Sequence, residues 1–259
     1  MILKHLNELY DYRDLIWKLS WGEFKLRYKN SVLGYFWSLL EPLLMLTVLY
    51  LVFSNLMRVQ VEHYQLFLLM GIILWNFLSR STTIGMFAIV GRPDMIKKIY
   101  FPRDIFVISS CITALLMSLF ESVVFFIFMA VFRVPISVNL VYAPLILIFL
   151  FTLALGISMA LSALNVYYRD VQFIWDVLMQ AGFFATPILY SMDILPETLQ
   201  KIVLLNPMSR IIISARDTVI YSTPASPEDL LFMFASSAIF LIIGYAVFSR
   251  LEPGFAEEI

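Results

Sequence analysis

The run LVYAPLILIFLFTLALGISMALSALNV, residues 140–166, passes through 27 positions without one charged side chain. As a helix it would reach about 40 Å at 1.5 Å per residue, enough to cross roughly 30 Å of hydrocarbon with some tilt. Working outward from it, five more apolar stretches of spanning length follow: 37–57, 66–90, 105–132, 171–190 and 230–248. No period-2 pattern of barrel strands is present, and lipid cannot satisfy an open backbone, so helices are expected. The fold class read from this is an all-α polytopic membrane protein with six transmembrane helices in a single domain over 1–259.

Composition agrees. Of 259 residues, 61% are hydrophobic and 14% charged, with a mean hydropathy of +0.86, against about 45–50% and 25% in soluble domains. The 23 Phe, 13 Tyr and 5 Trp exclude disorder. A net charge of −1 and a pI near 6.1 argue against a nucleic-acid partner. One cysteine, Cys111, allows no intrachain disulfide framework. His5 and His63, far apart, cannot build a zinc site, so no metal is expected.

Lysine and arginine set the orientation. With six spans, one side collects Lys4, Arg13, Lys18, Lys25, Arg27, Lys29, Arg92, Lys97, Lys98, Arg103, Arg169 and Arg250. The other holds Arg58, Arg133, Lys201, Arg210 and Arg216, and Arg80 sits within a span. Both termini are therefore expected in the cytoplasm, 251–259 as a short tail. The start is too charged for a secretory signal peptide.

Three segments outside the spans carry a pattern. In 1–34, Tyr10, Trp17, Trp21, Phe24 and Tyr28 fall on one helical stripe. Tyr12, Leu15, Ile16, Leu19 and Leu26 form a second stripe, and a narrow face carries Asp11, Asp14, Lys18, Lys25 and Lys29. This reads as an interfacial helix facing lipid headgroups or a cytoplasmic partner, with a plain membrane anchor as the simpler alternative. The loop Gly91-Arg-Pro-Asp-Met-Ile-Lys-Lys-Ile-Tyr-Phe-Pro-Arg-Asp104 is basic and bracketed by Pro93 and Pro102, which predicts about eight residues of helix between them. A solvated turn would not need Ile96, Ile99, Tyr100 and Phe101, whereas a helix docking into another protein's groove would. Finally, 191–228 is broken by Pro196, Pro207, Pro224 and Pro227 and predicts two helices, 197–205 and 208–221. At about 13 and 21 Å these are too short to cross, so they are expected to dip into the outer leaflet as a cap or gate.

Charges inside apolar runs usually face a bundle interior. Glu41 and Asp176 lie about 6–8 Å in from the cytoplasmic side, and Arg80 lies about 15 Å in, within reach of either. A structural cluster of Arg80 with Glu41 or Asp176 is predicted, with Glu121 in the outer half and out of reach. A proton relay is disfavoured because no histidine lies in any span.

The nine glycines form no phosphate-binding loop, and no H-E-x-x-H or G-x-S-x-G is present. No span carries a G-x-x-x-G pair or resembles a potassium filter. A membrane chain without its own chemistry is most simply the passage half of a machine powered elsewhere.

Specific residues then carry a resemblance. Val32-Leu-Gly-Tyr-Phe-Trp-Ser-Leu-Leu-Glu-Pro-Leu43 looks like the entry to the first span of ABC-transporter permeases that export polysaccharides. Phe101-Pro-Arg-Asp104, Asn165-Val-Tyr-Tyr-Arg-Asp-Val171 and Thr186-Pro-Ile-Leu-Tyr190 are similar too, as is Ile194-Leu-Pro followed by Leu205-Asn-Pro-Met208. Each motif alone is weak, but five in order over nearly the whole chain are strong. Glu41 departs from the pattern, since relatives often carry an apolar or amide residue before that proline.

The resemblance implies export of O-antigen, capsule or teichoic acid chains on undecaprenyl lipid, across the bacterial inner membrane. It implies a homodimer above two copies of a separate ATP-binding cassette subunit, with no cofactor on this chain and Mg-ATP on that partner. Arg92, Pro93, Asp94, Ile96, Lys97, Lys98, Ile99, Tyr100, Phe101 and Arg103 would couple to the motor. The first and fifth spans would line a channel between protomers, closed outside by the two short helices. Pyranose C–H faces pack on aromatic rings, which makes Tyr35, Trp37, Tyr50, Phe53, Phe183, Phe184 and Tyr190 candidate channel residues. Lys25, Arg27 and Lys29 would meet the carrier's pyrophosphate. Other readings are an ABC permease for a lipid, drug or other small molecule, a membrane-embedded glycosyl- or acyltransferase, and a non-transporting scaffold.

Overall fold

A computed structural model of the chain describes residues 9–29, 31–56, 61–93, 95 and 102–258. Among these the secondary structure is helical throughout, with no strand. Among the described residues these α-helices follow in order: α1 Arg13–Tyr28, α2 Trp37–Tyr50, α3 Tyr64–Met86, α4 Asp104–Val131, α5 Tyr142–Tyr167, α6 Val171–Ala185, α7 Glu197–Val203, α8 Pro207–Val219, α9 Pro227–Leu251 and α10 Phe255–Glu258. Five helical segments are long and apolar enough to cross a membrane: Gly34–Phe53, Tyr64–Met86, Asp104–Val131, Val138–Tyr167 and Pro227–Glu258. The chain is a multi-pass membrane protein.

The fifth expected span differs. The helix over 171–190 stops at Ala185, because Thr186 precedes Pro187, and the proline ring pushes its neighbour out of the helical region. Thr186 accordingly has φ −93° and ψ 142°. The 15-residue α6 then gives way to a buried turn over 186–189. Together they run antiparallel to α3: Trp175 Nε1 donates to Thr82 Oγ1 at 3.0 Å, Gly182 abuts Trp75, and the Tyr64 hydroxyl donates to the Leu189 carbonyl at 2.8 Å.

α3 is the centre of the bundle. All residues from Leu66 to Trp75 are buried, yet this is the least hydrophobic of the five spans. Its Ser81 and Thr82 side chains are buried in the bundle. α4 lies antiparallel to it: Ala88 and Ile89 beyond the end of α3 cluster with Phe106 and Val107 at the start of α4, and His63 at the other end stacks near Phe132 at 6.0 Å. α5 crosses α3 through Ser158, whose hydroxyl donates to the Ser81 carbonyl at 3.1 Å, and through Asn165, which donates to the Met86 carbonyl at 3.2 Å. α9 then packs on α5, where Gly156 and Gly244 bring the two backbones into direct contact.

Part of the patterned N-terminal segment forms a helix, α1. It buries Ile16, Ser20 and Phe24, one per turn, against α4, and Ser20 donates to the Ser109 carbonyl at 3.1 Å. The stripe of rings continues into the next segment: Trp17 on Trp21, Trp21 on Phe24, and Phe24 on Tyr28, Tyr35 and Phe120, at 5.2–6.1 Å between centroids. The outer pair appears as α7 and α8, the latter starting with Pro207 in its first turn and the Asn206 side chain accepting from Met208 N at 3.0 Å.

Candidate functional site

Three places collect the candidate residues. The first is an amphipathic groove of about 710 Å³ between α1, α2 and α3. Arg27, Tyr28, Ser31, Trp37, Glu41 and Asn76 give its polar and aromatic lining, and Leu44, Met45 and Val48 extend it along α2 as an apolar face. Of the three cations expected together, only Arg27 is among the described lining. Residues two apart on a helix point some 200° away from each other, so Lys25 cannot share one face with Arg27, and Lys29 lies past the end of α1 with an extended backbone. Lys25 instead stands over the Trp21 ring at 5.6 Å.

Beside the groove, Arg80 forms the intramembrane cluster with a corrected membership. Its guanidinium pairs with Glu41 at 3.0 Å and with Glu121 of α4. The Glu121 side chain is fully buried, while that of Glu41 is 60% exposed. Asp176 is exposed on α6 and joins no ion pair among the described residues. The expectation that Glu121 lies out of reach fails because depth along the backbone ignores side-chain direction. Side chains lean toward the N-terminus of their helix. In the antiparallel pair α3 and α4, that tilt carries Arg80 outward and Glu121 inward until they meet.

The candidate channel aromatics divide into two groups. Tyr35, Trp37 and Phe184 are exposed. Tyr50, Phe53, Phe183 and Tyr190 are half-buried against the core; Phe183 stands edge-on to Trp75 at 6.0 Å, and the Tyr190 hydroxyl donates to the Ala185 carbonyl at 3.2 Å.

The second place is the 91–104 loop. Asp94, Ile96, Lys97, Lys98, Ile99, Tyr100 and Phe101 lie outside the described residues, as does the helix expected there. Its two roots are described. Arg92 pairs with Glu23 of α1 at 3.3 Å and stacks over Phe106 at 5.1 Å. Arg103 donates to the Glu252 carbonyl and stands over the ring of Phe255, which is fully buried. The loop is thus tied to α1 at one end and to the C-terminal turn at the other, a link through Glu23 that no local motif announces.

The third is a pocket of about 400 Å³ between the start of α3, the 187–193 segment and α8. Phe67, Pro187, Tyr190, Ser191, Met192 and Asp193 line one side, and Val61, Glu62, Ile213, Arg216, Asp217 and Tyr221 the other. The sequence presents Arg216 only as an outer charge. It is buried, donates to the carbonyls of Phe67 at 3.1 Å, Ile188 at 2.9 Å and Pro187, and lies 3.3 Å over the Phe67 ring. Its position one turn beyond Ile212 on an amphipathic helix is the signal that could have located it. Desolvation raises the Asp217 carboxyl above its ordinary range, with Asp229 adding and Arg216 opposing.

Known proteins share this sequence over most of its length. The family model described as ABC-2 type transporter matches residues 14–220. An O-antigen export system permease protein RfbA of Klebsiella pneumoniae is 32% identical over 245 residues, covering 94% of both chains. A protein of the same name from Myxococcus xanthus is 30% identical over 260 residues, covering 100% of each.

Proposed function

The chain belongs to the ABC-2 type transporter family, and on that premise we propose that it exports undecaprenyl-linked polysaccharide across the bacterial cytoplasmic membrane. It is a transport component rather than an enzyme. The likeness to O-antigen export permeases over nearly the full length of both chains is the observation that carries the reading. Energy comes from Mg-ATP held by two copies of an ATP-binding cassette subunit beneath a homodimer of this chain.

Geometry supports the parts of that reading. α6 and the turn that follows it run beside α3 from Thr82 to Tyr64, about 27 Å at 1.5 Å per residue, which supports a fifth crossing and a six-passage layout. With six passages, the lysine and arginine imbalance favours both termini in the cytoplasm. α6 buries none of its residues, and α2 few, which leaves both apolar faces for a second protomer and for a channel between the two copies. Tyr35, Trp37 and Phe184 are the exposed rings on that path. The groove at Arg27 offers one cation to a diphosphate and an apolar face along α2 to its lipid tail. Motion of the ATP-binding partner enters through the 91–104 loop and reaches α1 by the Arg92–Glu23 pair.

Deleting the gene in its host tests the reading. Surface polysaccharide is lost, lipid-linked glycan accumulates on the inner face, and the wild-type gene restores export. Unchanged surface polysaccharide in the deletion strain overturns it.

A further inference from the structure

We propose that the outer pocket bounded by α3, α8 and the 187–193 segment is a binding site for uncharged sugar units of the exported chain and discriminates against anionic ones. The inference rests on the export reading and adds the substrate class to it.

The pocket's single described cation is already committed. All three guanidinium nitrogens of Arg216 donate to backbone carbonyls, and its face lies on Phe67. What remains for a ligand is acceptor-rich: the carboxylates of Glu62, Asp193 and Asp217. Asp193 accepts from the Ser191 hydroxyl at 2.8 Å, and among the described residues no donor reaches the Asp217 carboxylate. The acids form no metal-binding group among the described residues. Aromatic surface completes the lining: Tyr190, anchored through its hydroxyl to the Ala185 carbonyl, and Tyr221, whose hydroxyl donates to the Glu62 carbonyl at 3.4 Å.

Such a lining selects a ligand with many hydroxyl donors, apolar C–H faces and no negative charge. A neutral pyranose has all three properties. A uronic acid or phosphate-bearing unit would meet three carboxylates with no free cation to offset them. A lipid tail would leave those carboxylates desolvated and unpaired. The volume, about 400 Å³, falls within the range of roughly 300–1,000 Å³ seen for small-molecule sites. Its place at the outer end of the bundle, against α8, puts it where a chain leaves the protein.

The test uses the permease with its ATP-binding partner in lipid nanodiscs, probed by saturation-transfer NMR with maltotetraose and, separately, tetragalacturonate. Wild type transfers magnetisation from its aromatic protons to maltotetraose, with at least fivefold less to the uronate. Tyr221→Ala and the shape-preserving Asp217→Asn each reduce the maltotetraose signal at least threefold, and Asp217→Asn also narrows the discrimination against the uronate. Unaltered gel-filtration profiles and ATPase rates show that the variants are folded. No transfer to maltotetraose, equal transfer to both probes, or variants that behave as wild type overturns the proposal. A wild-type complex that exports lipid-linked glycan yet shows no pocket-dependent transfer fails the pocket alone, and one that shows transfer but no export fails the export reading alone.

Discussion

Arg80 carries two ion pairs of unequal weight. Glu121 is fully buried, and Glu41 stands mostly in the open. Removing one partner of a buried pair strands a charge in low dielectric, at about 3–5 kcal/mol, whereas an exposed partner contributes about 1 kcal/mol or less. Glu121→Ala is therefore expected to destabilise by about 3–5 kcal/mol, and Glu41→Gln by less than about 1 kcal/mol, in thermal unfolding of the purified protein. Replacing Arg80 and Glu121 together by Met and Leu should recover most of the loss, since well-packed apolar side chains leave no charge unpaired. Arg216 works differently, as a clamp on three carbonyls. Arg216→Met is expected to lose roughly 1–3 kcal/mol for each carbonyl left without a donor. At this scale the sequence brings Arg80 and Glu41 together, because both lie inside apolar runs and the long arginine side chain spans the difference in depth. It does not reveal Glu121 or Arg216 as partners, because side-chain lean and a tertiary clamp leave no trace in spacing alone.

Helices α5 and α9 meet at Gly156 and Gly244, 88 positions apart in the chain. A Cβ at Gly244 would overlap the Gly156 carbonyl oxygen, and one at Gly156 would press on the Phe240 and Leu241 backbone. Gly244→Ala must push the two helices apart, an overpacking effect of about 1–3 kcal/mol, visible as a lowered unfolding temperature. At Gly22 on α1 a methyl group would meet nothing within 4 Å, so Gly22→Ala should instead stabilise by about 0.5–1 kcal/mol through helix propensity. No G-x-x-x-G motif marks the α5–α9 contact, since each helix supplies one glycine. The segments themselves are legible in the sequence, from apolar length and from proline. The exception, the end of α6, follows from Pro187, which is plain in the sequence but lies inside a run of spanning length.

At the scale of the whole molecule, contacts link the segments outside the bundle to it: Arg92 ties the 91–104 loop to Glu23 on α1, and α1 lies along α4 through Ser20, Thr113 and Phe24. Glu23→Arg should lower export and its coupling to ATP hydrolysis several-fold while leaving the folded protein intact, and the swap with Arg92→Glu should restore much of both. Absence of catalytic and nucleotide-binding motifs points to a powered partner, and membership in the ABC-2 type transporter family agrees with it. The direction and cargo of transport are legible in the sequence only through motif resemblance. Reconstitution with the cognate ATP-binding subunit in vesicles tests the central claim most directly, by measuring ATP-dependent movement of undecaprenyl-linked glycan across the bilayer. The account predicts movement that needs both subunits and hydrolysable ATP; ATP hydrolysis by the intact complex with no glycan crossing would contradict it.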